Sequence, residues 1–158
     1  MFLLGDFEMR FSVFFLVCLL VVETIFCTDF KPCEEHSSNG IQSLNIEGCE
    51  NFTQCIFYAN KDAVISTVFN VRTKYDDVMV GVYYKLGFTW FPVPGFPRPA
   101  CVNDELSCPL EPNTTYNYTT KSLIPSYTPR INLDIKFELM DKSTLKSIVC
   151  AVVNVKIV

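Results

Sequence analysis

The sequence predicts an all-β domain, an immunoglobulin-like sandwich of two antiparallel sheets. Two observations support this fold class. Short runs with an apolar residue at every second position recur along the chain, as expected of strands with one buried face. Turn residues separate these runs, and none of them has the apolar period of an amphipathic helix. Six or seven strands at short spacing account for the pattern.

The first element is an apolar run that predicts a secretory signal. Residues 11–22 are mostly apolar, follow Arg10 and precede Cys27, and twelve residues are too few to span a bilayer. We expect residues 1–27 to be a signal peptide and residues 28–158 to form the mature domain. Cleavage changes the net charge from −4 to −2, because three acidic residues and one basic residue leave with the peptide. The mature chain then lacks a basic field for nucleic acid. No other apolar run reaches membrane-spanning length, so we expect a soluble, secreted monomer, with the lysosome as a second destination.

The predicted strands follow in order, each with one apolar face. The most regular of them alternates Ile135 and Phe137 with Asp134 and Lys136, which is typical of a strand with one buried and one wet face. The strands are predicted at residues 40–48, 63–72, 78–86, 115–124, 131–139 and 145–158.

Three Asn-x-Thr sites predict N-linked glycans at Asn51, Asn113 and Asn117. Each requires an exposed asparagine. Around the third site, Tyr116 and Tyr118 share one face of the strand and Asn117 lies on the other. We therefore expect both rings to turn inward while the glycan points to solvent.

A proline-rich segment over residues 88–99 interrupts the strands. Its prolines deny it the regular amide donors of a central strand and exclude a helix, so we expect an extended edge or crossing segment. The segment is nevertheless apolar, and each large side chain left in water would cost roughly 1.5–3 kcal/mol. It therefore covers either an ordinary core or the mouth of an apolar cavity. The apolar residues are Phe88, Trp90, Phe91, Val93 and Phe96, and the prolines are Pro92, Pro94, Pro97 and Pro99.

Six cysteines remain in the mature chain, and in an oxidising compartment they predict three disulfides, with fifteen pairings open in principle. A zinc site is the weaker alternative, because the chain has no Cys-x-x-Cys pair and a single histidine, His36. One expected bridge closes a loop of more than a hundred residues, which contributes about 4–5 kcal/mol in the chain-entropy model. Spacing favours Cys49 with Cys55 and Cys101 with Cys108, which leaves Cys33 with Cys150.

The sequence shows no motif typical of an enzyme active site. Neither a Gly-x-Ser-x-Gly nor a His-Glu-x-x-His motif occurs, and His36 lies among polar residues typical of a solvated loop. The adjacent carboxylates of Asp76 and Asp77 lack further oxygen ligands at regular spacing, so they indicate a turn rather than a calcium site. We expect no catalytic residue, no metal and no cofactor.

The mature chain carries several motifs in a fixed order. They are six cysteines in register, the opening run at residues 29–33, the small loop at 49–55, the proline-rich run at 91–97 that leads to Cys101, the residues at 108–110 and 116–118, and Cys150 near the end. Together they resemble the ML lipid-recognition domain family, and within it the small Niemann-Pick type C sterol-transfer proteins and the group-two mite allergens. The resemblance covers the whole mature chain.

The resemblance implies the same three disulfides and a lipid cavity between the two sheets. Two departures from the family pattern lie at the expected cavity, namely Gly95 inside the proline-rich run and Thr128 between a tyrosine and the following proline. The resemblance and the apolar proline-rich segment together predict these ligand-binding residues: Ile46, Phe69, Trp90, Phe91, Val93, Phe96, Tyr118, Ile124, Tyr127 and Pro129.

Three functions are compatible with these features. The first is a non-enzymatic carrier of a sterol or fatty acyl ligand that contacts a membrane or an acceptor protein during transfer. The second is an innate-immune module that binds bacterial glycolipid, which would favour a basic rim formed by Arg98, Lys121 and Arg130. The third is an adhesive domain with a filled core.

Overall fold

The computed structural model describes residues 30–33, 40–49, 55–102 and 105–158. The expected signal peptide at residues 1–27 and the expected glycosylation site Asn51 lie outside the described residues. Within these ranges the chain forms ten strands and no helix, so it has no helix suited to crossing a membrane. The strands are β1 (Lys31–Pro32), β2 (Ile41–Ile46), β3 (Cys55–Phe57), β4 (Asp62–Asn70), β5 (Val78–Leu86), β6 (Thr89–Pro92), β7 (Arg98–Pro99), β8 (Thr115–Leu123), β9 (Asn132–Asp141) and β10 (Ser147–Ile157).

The strands form two sheets that face each other, which confirms the predicted sandwich. The larger sheet runs β1-β10-β9-β5-β6, with β3 beside β10 and β7 beside β5, and the smaller sheet runs β2-β4-β8. Neighbouring strands are antiparallel except for β3, which pairs with β10 in parallel. The inward residues of both sheets form the core.

All six predicted strands are present, because alternation over many residues is a strong local signal. The sequence did not predict β1 and β3 as separate strands, since runs of two and three residues carry no alternation and depend on pairing with β10.

The proline-rich segment lies at the edge of the larger sheet, as predicted. It contributes β6 and β7, which both pair with β5. The Val93 amide donates to the Val82 carbonyl at 2.9 Å, and the Ala100 amide donates to the Val78 carbonyl at 2.8 Å. The segment therefore stays attached to β5 through donors that lie between its prolines.

Three disulfides confirm the predicted pairing. The bridge between Cys33 and Cys150 joins β1 to β10 across a sequence separation of 117 residues. The other two bridges close short loops, Cys49 with Cys55 and Cys101 with Cys108.

Candidate functional site: an apolar cavity between the sheets

A cavity of about 360 Å³ opens between the two sheets at one end of the sandwich. Its walls come from both sheets, and its mouth comes from the proline-rich segment and the segment that follows β8. The lining residues are Phe57, Ala63, Ile65, Val82, Tyr84, Leu86, Val93, Pro94, Phe96, Thr120, Ser122, Leu123, Ile124, Pro125, Tyr127, Thr128, Pro129, Ile131, Leu133, Ile135 and Ile157.

The cavity begins where inward side chains of the smaller sheet become small. Along β8 the inward positions change from tyrosine at 116 and 118 to Thr120 and Ser122. Opposite these two hydroxyl residues, β4 presents Ile65 and Ala63. The combined size of the paired side chains falls from Thr67 with Tyr118, through Ile65 with Thr120, to Ala63 with Ser122, and the cavity lies between the sheets at the smaller pairs.

The other half of the sandwich is filled by aromatic side chains. The rings of Phe69 and Tyr116 lie 5.9 Å apart, and those of Tyr118 and Phe137 lie 6.4 Å apart. Phe69, Tyr118 and Phe137 are almost completely buried. These rings close the inner end of the cavity, since the positions next to them, Thr120 on β8 and Ile135 on β9, belong to its wall.

A turn in the proline-rich segment brings two side chains to the mouth. The Phe96 amide donates to the Val93 carbonyl at 3.0 Å, which closes a turn with Pro94 and Gly95 at its centre. Gly95 has a φ of 89°, the left-handed conformation that a type II turn requires at this position. The departure at Gly95 is thus accommodated as a turn, and both Val93 and Phe96 reach the cavity.

The opposite side of the mouth is an irregular segment between two anchored positions. The Ile124 amide donates to the Lys61 carbonyl, and the Ile157 amide donates to the Ile131 carbonyl, each at 2.9 Å. Tyr127 lies between these anchors and is 83% exposed. The extra residue Thr128 does not turn the neighbouring side chains to the other side of a sheet, because this segment is not a strand. Tyr127 and Thr128 both line the mouth.

Charged and polar groups meet at the inner end of the cavity. Arg98 Nη2 donates to Thr120 Oγ1 at 2.9 Å and lies 3.3 Å from Glu105 Oε2. The Tyr118 hydroxyl donates to the same carboxylate at 3.4 Å. Burial is the main cause that raises the pKa of Tyr118 to about 12, so this hydroxyl stays neutral at physiological pH. The Thr120 hydroxyl therefore lines the inner end of the cavity, and the Arg98 charge next to it is neutralised by Glu105.

Five of the ten predicted ligand-binding residues line the cavity: Val93, Phe96, Ile124, Tyr127 and Pro129. Ile46, Phe69 and Tyr118 are buried in the core beside it but are not part of its wall. All three side chains point between the sheets, as predicted, but they pack in the filled core and not against the cavity. The contribution of all ten to ligand binding stays a prediction.

The remaining two, Trp90 and Phe91, lie on β6. Trp90 pairs with Lys85 on the outer face of the larger sheet, where Lys85 Nζ lies 5.5 Å from the centre of its indole ring. Phe91 pairs with Tyr84, a wall residue, and the two rings stack at 5.8 Å. Phe91 thus lies beside the wall residue Tyr84 on the same face of the sheet without lining the cavity, and Trp90 points away from the cavity.

Sequence reasoning did not identify the residues that create the cavity on the smaller sheet. They are Ala63, Ile65, Thr120 and Ser122, which occupy inward positions of regular strands. The signal available in the sequence was the decrease in side-chain size along β8, from two tyrosines to threonine and serine.

Asn113 and Asn117, the two described glycosylation candidates, are both exposed, and their use stays a prediction. Over the described part of the chain, no group of three or more His, Cys, Asp or Glu side chains is arranged to hold a metal ion.

Comparison with known proteins gives one family. The sequence model of the ML domain matches residues 27–157. The chain is 28% identical over 151 residues to the NPC intracellular cholesterol transporter 2 homolog a of Drosophila melanogaster, covering 94% of this chain and 99% of that protein. It is 24% identical over 132 residues to the mite group 2 allergen Lep d 2 of Lepidoglyphus destructor, covering 84% of this chain and 88% of the allergen.

The fold is similar to that of a solved structure, a Niemann-Pick type C2 protein from the Japanese carpenter ant. The TM-score is 0.73 at 19% sequence identity, and the match covers 82% of this chain and 99% of the ant chain.

Proposed function

This chain belongs to the ML domain family, and from that premise we propose that it is a lipid carrier that encloses the apolar part of one sterol or fatty acyl ligand between its two sheets. The observation that carries the proposal is the apolar cavity of about 360 Å³. This volume falls in the range of small-molecule sites, about 300–1,000 Å³. The relative from Drosophila melanogaster is by name a cholesterol transporter homolog, which supports a lipid as the ligand class.

The apolar walls of the cavity favour an apolar guest. Removal of apolar surface from water is favourable by roughly 25 cal/mol per Å². A lipid chain that enters the cavity buries its own apolar surface and that of the wall residues together.

Transfer requires that the mouth meet a membrane or an acceptor protein, and exposed apolar side chains near the mouth support such contact. Phe88, at the turn between β5 and β6, is 100% exposed, and it lies two residues from the wall residue Leu86. Leu123 and Tyr127 are exposed on the opposite side of the mouth. Three disulfides support a lumenal or extracellular place of action.

Bacterial glycolipid is the alternative ligand, and it would require free cations for its phosphates. Arg98, the first residue predicted for a basic rim, is occupied by Glu105 and Thr120. Lys121 and Arg130 are exposed. Exposed lysine and arginine side chains are common on protein surfaces, so these two do not by themselves indicate a phosphate site. Among the residues that the structure describes, no feature favours this alternative over the carrier, so it serves as an outcome of the test.

The test combines identification of natural ligand with direct binding. Protein purified from a secretory host is examined by native mass spectrometry, and the stripped protein is then titrated with a fluorescent sterol, a fluorescent fatty acid and lipopolysaccharide. We expect co-purified lipid and saturable binding of at least one of the first two probes. Preferential binding of lipopolysaccharide would support the alternative.

A pair of variants on one strand links binding to the cavity. Ala63→Phe places a ring inside the cavity, whereas Val64→Phe adds the same ring on the outer face of β4. We expect Ala63→Phe to weaken lipid binding at least tenfold and Val64→Phe to leave it unchanged. Equal binding by both variants would refute the cavity as the binding site.

A further inference from the structure

We infer that the cavity accepts a single unbranched acyl chain of about 14 carbons and discriminates against a sterol, and that Arg98 sets this limit. The inference rests on the proposed function and narrows its ligand class. Three features of the cavity carry it: its volume, the bridge between the sheets at its inner end, and the aromatic residues that close it.

The volume suits one chain. An apolar cavity of about 150 Å³ holds one benzene, which gives a scale of about 25 Å³ per carbon. At this scale the 360 Å³ of the cavity accommodates about 14 carbons. A sterol has about 28 non-hydrogen atoms, twice what the same scale allows. A sterol would therefore have to separate the sheets or leave half of its surface outside.

Separation of the sheets is opposed by a polar bridge next to the cavity. The Arg98 bridge consists of Arg98 on β7 of the larger sheet, Thr120 on β8 of the smaller sheet, and Glu105. Arg98 donates to the Thr120 hydroxyl at 2.9 Å and pairs with Glu105 at 3.3 Å. Thr120 is a wall residue and is only 3% exposed. The bridge thus joins the two sheets directly at the wall.

Widening the cavity would break the hydrogen bond between Arg98 and Thr120. Arg98 and Glu105 are both half-buried, and Glu105 belongs to the loop that the Cys101–Cys108 disulfide closes. Moving β8 away would leave the guanidinium paired with Glu105 but without its hydroxyl acceptor, and a hydrogen bond from a charged donor is stronger than one between neutral groups. The Arg98 guanidinium also lies 5.5 Å from the ring centre of Phe96, another wall residue. Arg98 is therefore a positioning residue that fixes the width of the cavity.

The aromatic end of the sandwich limits the length of the chain. Phe137 and Tyr118 stack across the gap between the sheets and are fully buried. A chain that enters at the mouth stops at these rings, and its polar head remains in water at the mouth.

Chain-length titration tests the inference on the intact mature protein. Saturated fatty acids of increasing length and cholesterol compete with a bound fluorescent fatty acid. We expect affinity to rise up to about fourfold per added methylene, to level off near about 14 carbons, and to exceed the affinity for cholesterol at least tenfold. Cholesterol binding as tight as the best acid would overturn the inference and leave the proposed function intact. Failure of every acid and of cholesterol to bind would overturn both.

Variants of the Arg98 bridge test its part separately. Arg98→Met and Thr120→Val each remove the bridge and preserve much of the side-chain volume, and Lys142→Met removes an exposed cation from a distant turn as the control. We expect both bridge variants to reduce the discrimination against cholesterol at least fivefold and the control to retain it. Loss of stability alone would weaken binding of all ligands together, so the ratio of the two affinities is the diagnostic quantity. An unchanged ratio in both bridge variants would overturn the role of Arg98.

Discussion

Truncation of Phe137 to alanine should destabilise the domain and at the same time lengthen the cavity. Phe137 is 1% exposed, stacks on Tyr118, and lies directly opposite the wall residue Val82. Loss of a buried phenylalanine ring costs about 3–5 kcal/mol. For a domain of this size we expect the melting temperature of the ligand-free protein to fall by roughly 10–20 °C.

The vacated space should join the cavity, because Phe137 is flanked on the same face by the wall residue Ile135. A longer acyl chain can then fill it. Ligand binding stabilises the folded state by RT ln(1 + [L]/Kd), so the shift in melting temperature reports the affinity of each chain. We expect an 18-carbon acid to stabilise Phe137→Ala more than a 14-carbon acid does, whereas the two acids stabilise the unaltered protein about equally.

Leu139→Ala is the matched control for this experiment. Leu139 is buried on the same face of β9, two residues further from the cavity, and pairs with Val80 and Val149 in the filled half. Its truncation costs a similar amount, about 2–5 kcal/mol, but should not change the preference for chain length. Identical ligand profiles for the two variants would refute the assignment of Phe137 to the inner end of the cavity.

Three further predictions concern stability, pH and transfer. Replacement of Cys33 and Cys150 by serine should lower the free energy of unfolding by about 5 kcal/mol in the chain-entropy model, as measured by urea denaturation, because the bridge closes a separation of 117 residues. Burial raises the pKa of Tyr118 to about 12, above its value of about 10 in the unfolded chain. The contribution of this neutral hydroxyl to the free energy of unfolding is thus complete below pH 10 and is lost as the pH rises towards 12. Tyr118→Phe removes the titrating group, so it should flatten the decline in urea midpoint over this interval. Finally, Phe88→Ser should slow the transfer of a fluorescent lipid between vesicles without altering its affinity, whereas Leu145→Ser, at another exposed apolar position, should change neither.

Much of the fold follows from the sequence because it depends on regular local patterns. The alternation from Ile135 to Leu139 predicts a strand and its buried face, and the structure confirms both. Cysteine spacing predicts the disulfides because short loops favour close pairs and leave one long-range pair. The edge position of the proline-rich segment follows from its missing amide donors.

The cavity is harder to predict because it depends on which residues of different strands share a row. Tyr118 and Thr120 are two positions apart and equally inward, yet one fills the core and the other lines the cavity. The difference arises from their partners in the other sheet and from the register with β4, which periodicity does not reveal. Trp90 illustrates the same limit, since one residue of register on β6 decides between the cavity side and the outer face.

The half of the sandwich that receives the ligand gains less stability from packing between the sheets, because small side chains line a cavity of about 360 Å³ there. The Cys33–Cys150 disulfide contributes about 5 kcal/mol in the chain-entropy model, and it joins β1 to β10, away from the mouth. A covalent link thus adds stability in the filled part of the fold, while the half that receives the ligand keeps small side chains at Ala63, Thr120 and Ser122. Ala63→Phe places a ring in that half and should therefore raise the melting temperature of the ligand-free protein even as it weakens binding, and a fall in both would refute the assignment of Ala63 to the cavity wall.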